Sequence, residues 1–176
     1  MVKHQVLLSV PSVDIVSKEE VARIISTPDS PTLVAVRQDF IGPFSGRALL
    51  IFPEANSLEL VRVVVGQHLS LEDIVELEDE ALAETGNIIL NSWISTVANL
   101  LKQQLKMSLP VVIRRDQHSI LEGVDPREDR VLFLHIKFEI SQQEINGFVA
   151  LMMDIPSIAQ LRALIAEFVM KVSRPD

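Results

Sequence analysis

The 176-residue chain has no cysteine, which excludes a disulfide framework and a cysteine nucleophile. Basic residues are scarce: 16 Lys and Arg stand against 24 Asp and Glu, giving a formal net charge of −8. Nucleic acid and anionic membrane surfaces are bound through clustered Lys and Arg, so the balance argues against both and leaves a basic protein, or a locally basic patch on a partner, open. No apolar run approaches the ~20 residues of a membrane span. The opening sequence, Met1 to Pro11, lacks the apolar core of a signal peptide. The default expectation is a soluble cytoplasmic protein. His4, His68, His118 and His135 are scattered and do not have the spacing of metal ligands. There is no glycine-rich phosphate loop and no Ser–His–Asp set with a supporting local signature.

What is present is a folded domain. The composition is 48% hydrophobic with ordinary charge content, and the length suits one domain over residues 1–176. Hydrophobic patterning predicts strands near 5–16, 32–39, 46–52, 109–115, 130–140 and 146–154. It predicts helices near 18–26, 56–66, 78–106 and 156–171, and a polar, unpatterned stretch at 116–129. Strands and helices mix without strict alternation, which indicates an α+β fold.

The helix predicted over 78–106 is the most informative segment. At about 100° per residue, Glu80, Glu84, Asn87, Asn91, Ser95 and Lys102 form one stripe. Leu82, Ile89, Leu90, Trp93, Ile94, Val97, Leu100 and Leu101 fill the opposite arc. Glu84 and Asn87 are three residues apart and share a side of the helix. Gly86 sits beside the stripe at a cost of about 1 kcal/mol relative to Ala, and its missing side chain would let another surface approach closely. Pro110 follows Asn87 by 23 residues and is expected to start the next strand and set the helix end. The acidic run from Leu71 to Glu80 reads as a solvated helix start that suits the macrodipole. Asp125 to Arg130 reads as an exposed turn. For Glu84 and Asn87 taken alone, the plain alternative is an ordinary solvated helix face.

The chain also repeats itself. Gly46-x-Ala-Leu-Leu-Ile-Phe52, followed by Leu60 and Val64, aligns with Gly147-x-Val-Ala-Leu-Met-Met153, followed by Leu161 and Ile165, at an offset of 101. Ser9-Val10-Pro11 aligns with Ser108-Leu109-Pro110 at an offset of 99. Two half-repeats, about 5–66 and 78–171, each read as strand, helix, β-hairpin, helix. Only the second is preceded by the long helix.

Glu84-x-x-Asn87, with 22 residues between Asn87 and Pro110, resembles the signature of the CheC-type chemotaxis phosphatases, a family that includes CheX and FliY. The opening Glu84-Thr-Gly-Asn-Ile-Ile-Leu-Asn91 and the stretch from Phe40 to Pro53 resemble it as well. Glu80 occupies a position where that family has Asp or Ser, and the first of the family's two active helices is missing. The resemblance implies a pseudo-symmetric α/β fold with at most one site, acting on the aspartyl-phosphate of a CheY-like receiver. In that scheme Glu84 pairs with the receiver's lysine and Asn87 positions the attacking water. Glu80, Gly86 and Asn91 belong to the binding surface. No cofactor is the chain's own, and Mg²⁺ sits on the receiver. A CheD-like protein is a further partner that the resemblance admits.

An amide has no useful pKa, so Asn87 cannot be a general base. It can orient a water through one donor and one acceptor. The alternative is a non-catalytic binding module using the same stripe, or a homodimer formed through apolar surface left uncovered by the missing helix.

Overall fold

The computed structural model of the chain describes residues 6–26, 32–57, 60–62, 70–122, 130–140 and 143–173. The elements run β1 (Val6–Ser17), α1 (Lys18–Ile25), β2 (Leu33–Ile41), β3 (Gly46–Pro53), a long helix α2 (Leu71–Leu100), β4 (Lys106–Met107), β5 (Val111–Arg115), β6 (Arg130–Ile140), β7 (Gln143–Met153) and α3 (Ile155–Val172). Short 3₁₀ turns cover Glu54–Asn56 and Ser119–Leu121. Residues 57 and 60–62 are helical; the rest of the helix expected at 56–66 lies outside the described residues, as do 123–129.

All strands join one antiparallel sheet in the order β1-β6-β7-β3-β2-β4, with β5 also pairing β2. Both faces are covered, so the central strands read as continuous apolar runs rather than alternating ones. Alternation still sorts the side chains between two cores. Val34, Val36, Phe40, Leu50 and Phe52 face α2 and α3, while Leu33, Ala35, Leu49 and Ile51 face α1 and the 119–121 turn.

The repeat is visible in the register. β3 and β7 pair from Arg47↔Met152 to Ile51↔Phe148, and the central pair is Leu49↔Ala150. Those two residues are themselves 101 apart, so the sequence repeat and the local twofold axis coincide. The hairpins β2–β3 and β6–β7 flank the axis, and β1 and β4/β5 form the outer edges. Both outer edges depart from regular pairing at their matching prolines. The β1–β6 register shifts between Ser9 and Ser12, and residues 108–110 separate β4 from β5.

Helix α2 corrects two expectations. It spans 71–100 rather than 78–106. Ser70 caps its start, accepting from the Asp73 backbone N–H while the Asp73 carboxylate accepts from the Ser70 N–H. This reciprocal pair satisfies two otherwise orphaned donors. The acidic run is therefore helical, with Glu72 and Asp73 in the first turn. At the far end Lys102 takes φ 54°. Lys102 N–H donates to Asn99 O and Gln103 N–H to Ala98 O at 2.8 Å, the hydrogen-bond pattern of a Schellman stop. Pro110 lies beyond that stop. It does not end the helix, and Lys102 lies outside the helical stripe.

Candidate functional site

The site is built where α2 crosses β2. Gly86 is buried, and a Cβ added there would lie 2.5 Å from the Val36 side chain. The surface that approaches Gly86 is the chain's own sheet, so its role is internal packing rather than contact with an outside partner. That close crossing brings Asn87 against the strand two residues further along.

There it meets Gln38, which is 1% exposed. Gln38 Nε2 donates to Asn87 Oδ1 at 2.9 Å and to the Ser108 carbonyl at 2.9 Å. Asn91, one turn beyond Asn87, donates from Nδ2 to the same Oδ1 at 2.6 Å. Asn91 thus holds Asn87. Both acceptor positions of the Asn87 oxygen are taken. Its nitrogen is not buried and has no protein partner among the described residues. The expected donor-plus-acceptor role is corrected: Asn87 offers outward only its two N–H groups.

Glu84 and Glu80 are exposed and make no hydrogen bond or ion pair among the described residues. Ile88 and Leu109 flank the site with 52% and 85% exposure. A cavity of about 120 Å³ between Leu101 and Phe168 lies at the C-terminal end of α2, roughly 20 Å along the helix from Asn87 at 1.5 Å per residue.

Pro110 contributes by breaking a strand. It has no N–H to give to the ladder, and it lies in the gap between β4 and β5. In the gap Ser108 N–H donates to Asp39 O at 2.8 Å, and Asp39 N–H donates to Ser108 Oγ at 2.9 Å. The Ser108 carbonyl is thereby held toward Gln38.

The start of α2 is anchored separately. Arg114 on β5 contacts Asp79 at 2.6 Å, Glu78 at 3.2 Å and Glu54 at 3.9 Å. Burial alone would lower the guanidinium pKa, but hydrogen bonds to Asp79 and Glu78 outweigh it and the net shift is upward. Buried Ser57 donates to Glu78 at 2.7 Å. These contacts fix the helix against the sheet two turns before the site.

Sequence reasoning missed Gln38. The available signal was its place on the inward face of β2, among Val34, Val36 and Phe40, where an amide is out of character.

Residues 34–139 match the family described as chemotaxis phosphatase CheX, a stretch that contains Gln38, Glu84, Asn87 and Pro110. The CheY-P phosphatase CheC of Bacillus subtilis (strain 168) is 27% identical over 116 residues, covering 64% of this chain and 54% of that protein. The chain spans about half the length of that curated relative. Among solved structures, Thermotoga maritima FliY is similar with a TM-score of 0.68 and 17% identity, over 96% of this chain and 84% of that one. CheX of Borrelia burgdorferi, solved in a complex with CheY, BeF₃ and Mg²⁺, is similar with a TM-score of 0.50 and 15% identity, over 78% of this chain and 93% of that one. The structural likenesses establish the fold, and the match over more than half of the chain establishes the family: this chain belongs to the CheX family of chemotaxis phosphatases.

Proposed function

We propose that the chain hydrolyses the aspartyl-phosphate of a CheY-like receiver docked on α2. One observation carries the reading: the Asn87 amide is fixed with its oxygen turned inward and its nitrogen open, one turn from the exposed carboxylate of Glu84.

The chain has too few groups here to be a self-contained hydrolase. Aspartyl-phosphate is already activated, so the remaining requirements are an in-line water and stabilised charge on the phosphoryl oxygens. A water accepting from one Asn87 N–H keeps a lone pair for phosphorus. The second N–H is available to a phosphoryl oxygen as charge develops there. The water oxygen forms the new P–O bond, the bond to the receiver's carboxylate breaks to leave it ionised, and both protons of the water leave with inorganic phosphate as H₂PO₄⁻. The receiver supplies the phosphoryl group and its Mg²⁺. Glu84 pairs with a lysine of the receiver and fixes the docking register. Exposed Ile88 and Leu109 beside the polar pair suit a protein surface better than a small solute. CheC, named as a CheY-P phosphatase, and the CheX–CheY complex support a receiver as that partner.

The test is the decay of phosphorylated CheY-like receiver in Mg²⁺, with and without the protein. Asn87→Ala is expected to reduce the acceleration by about 100-fold or more, and Glu84→Ala to raise KM for the receiver. Persistence of the full acceleration in the double variant would overturn the assignment. Binding of the receiver without any acceleration by the unmodified protein would instead mark a docking module.

A further inference from the structure

We propose that Gln38 is the positioning residue that decides which end of the Asn87 amide faces outward. The inference rests on the reading above that the Asn87 nitrogen serves the reaction.

The Ser108 carbonyl can only accept a hydrogen bond, and its direction is fixed by the paired contacts between Ser108 and Asp39. The Gln38 atom 2.9 Å from it must therefore be the nitrogen. The second hydrogen of that nitrogen points to Asn87 at 2.9 Å, so the Asn87 atom facing it must be the oxygen. Reversing Asn87 would set two donor groups against each other, and reversing Gln38 would set its oxygen against the Ser108 carbonyl. Asn91 cannot impose this polarity, because its own amide can present either end to Asn87. Among the described residues, Gln38 alone links Asn87 to a backbone acceptor.

The arrangement is costly to the fold. Gln38 Oε1 is buried without a partner, whereas the neighbouring inward positions 34, 36 and 40 hold Val, Val and Phe. Among the described residues the buried polar ones are Gln38, Ser57 and Thr85, and of these Gln38 has the unsatisfied side-chain atom. Such groups persist where they serve something other than stability.

The test uses Gln38→Met, which keeps length and removes the donor. In the free protein, NMR signals of the Asn87 side-chain NH₂, identified by their loss in Asn87→Ala, are expected to shift and broaden in Gln38→Met. Unchanged signals overturn the proposal, whether or not the protein proves to be a phosphatase. In the receiver assay Gln38→Met is expected to lower kcat by about tenfold or more with KM unchanged, and to have no further effect in the Asn87→Ala background. An equal loss in that background would place Gln38's effect outside Asn87 and also overturn it. If Gln38→Met unfolds, Gln38→Glu, which presents only acceptors when ionised, replaces it with the same two readouts.

Discussion

At the scale of single residues, Asn87 has two chemically separate halves. Its oxygen belongs to the protein, accepting from Gln38 and Asn91, and its nitrogen faces outward. Asn87→Asp separates the two. A carboxylate keeps, and by charge strengthens, both internal hydrogen bonds, but it has no donor and repels a phosphoryl group. The expected outcome is an unchanged or raised thermal midpoint together with loss of receiver dephosphorylation by about 100-fold or more. Reduced stability with retained activity would mean that the nitrogen, not the oxygen, is the half bound to the fold.

At the scale of elements, the crossing of α2 over β2 sets the site, and Gly86 sets the crossing. Alanine is the better helix former by about 1 kcal/mol, so propensity alone predicts that Gly86→Ala stabilises. Its Cβ would lie 2.5 Å from Val36, well inside contact distance, and the overpacking term is larger. Gly86→Ala is expected to destabilise by about 1–3 kcal/mol in denaturant unfolding, with recovery when Val36→Ala makes room. The 119–121 turn offers a second check. Asp116 accepts from Ser119 N–H, Ser119 Oγ and His118 N–H. Led by the Ser119 backbone bond, these contacts lower its pKa from 3.8 to about 2. A carboxylate whose folded pKa lies below its unfolded value favours folding at neutral pH, and that contribution is lost as pH falls from about 4 through 2. The difference in thermal midpoint between the unmodified protein and Asp116→Asn is expected to shrink across that window. A constant difference would remove the cap from the acid response.

At the scale of the whole molecule, a twofold-related pair of hairpins carries an unsymmetrical function. The axis passes through Leu49 and Ala150. The outer edges depart from regular pairing at equivalent places: the β1–β6 register shifts around Pro11, and a break at 108–110 separates β4 from β5. Only the break at Pro110 lies under the described part of α2, and there Ser108 takes up Gln38. The half-repeat was legible because it rests on local apolar patterning and on glycines and prolines at fixed spacing. The extent of α2 was less so. Its start hides in the acidic run, where Ile74 is buried while Glu72 and Asp73 are exposed, and no glycine or proline marks its stop at Lys102.

The sequence by itself determined that α2 would carry Glu84 and Asn87 on one side, because helical periodicity is a property of neighbouring residues. It also determined the α+β class and the pairing of like halves. Only the tertiary structure decided what Asn87 can do. The group that orients it, Gln38, comes from 49 residues earlier, and the carbonyl that orients Gln38 lies 70 residues beyond Gln38. Those separations carry no periodic signal. They are closed by the sheet register and by the space left at Gly86, so the direction of one amide is settled by packing and not by local sequence.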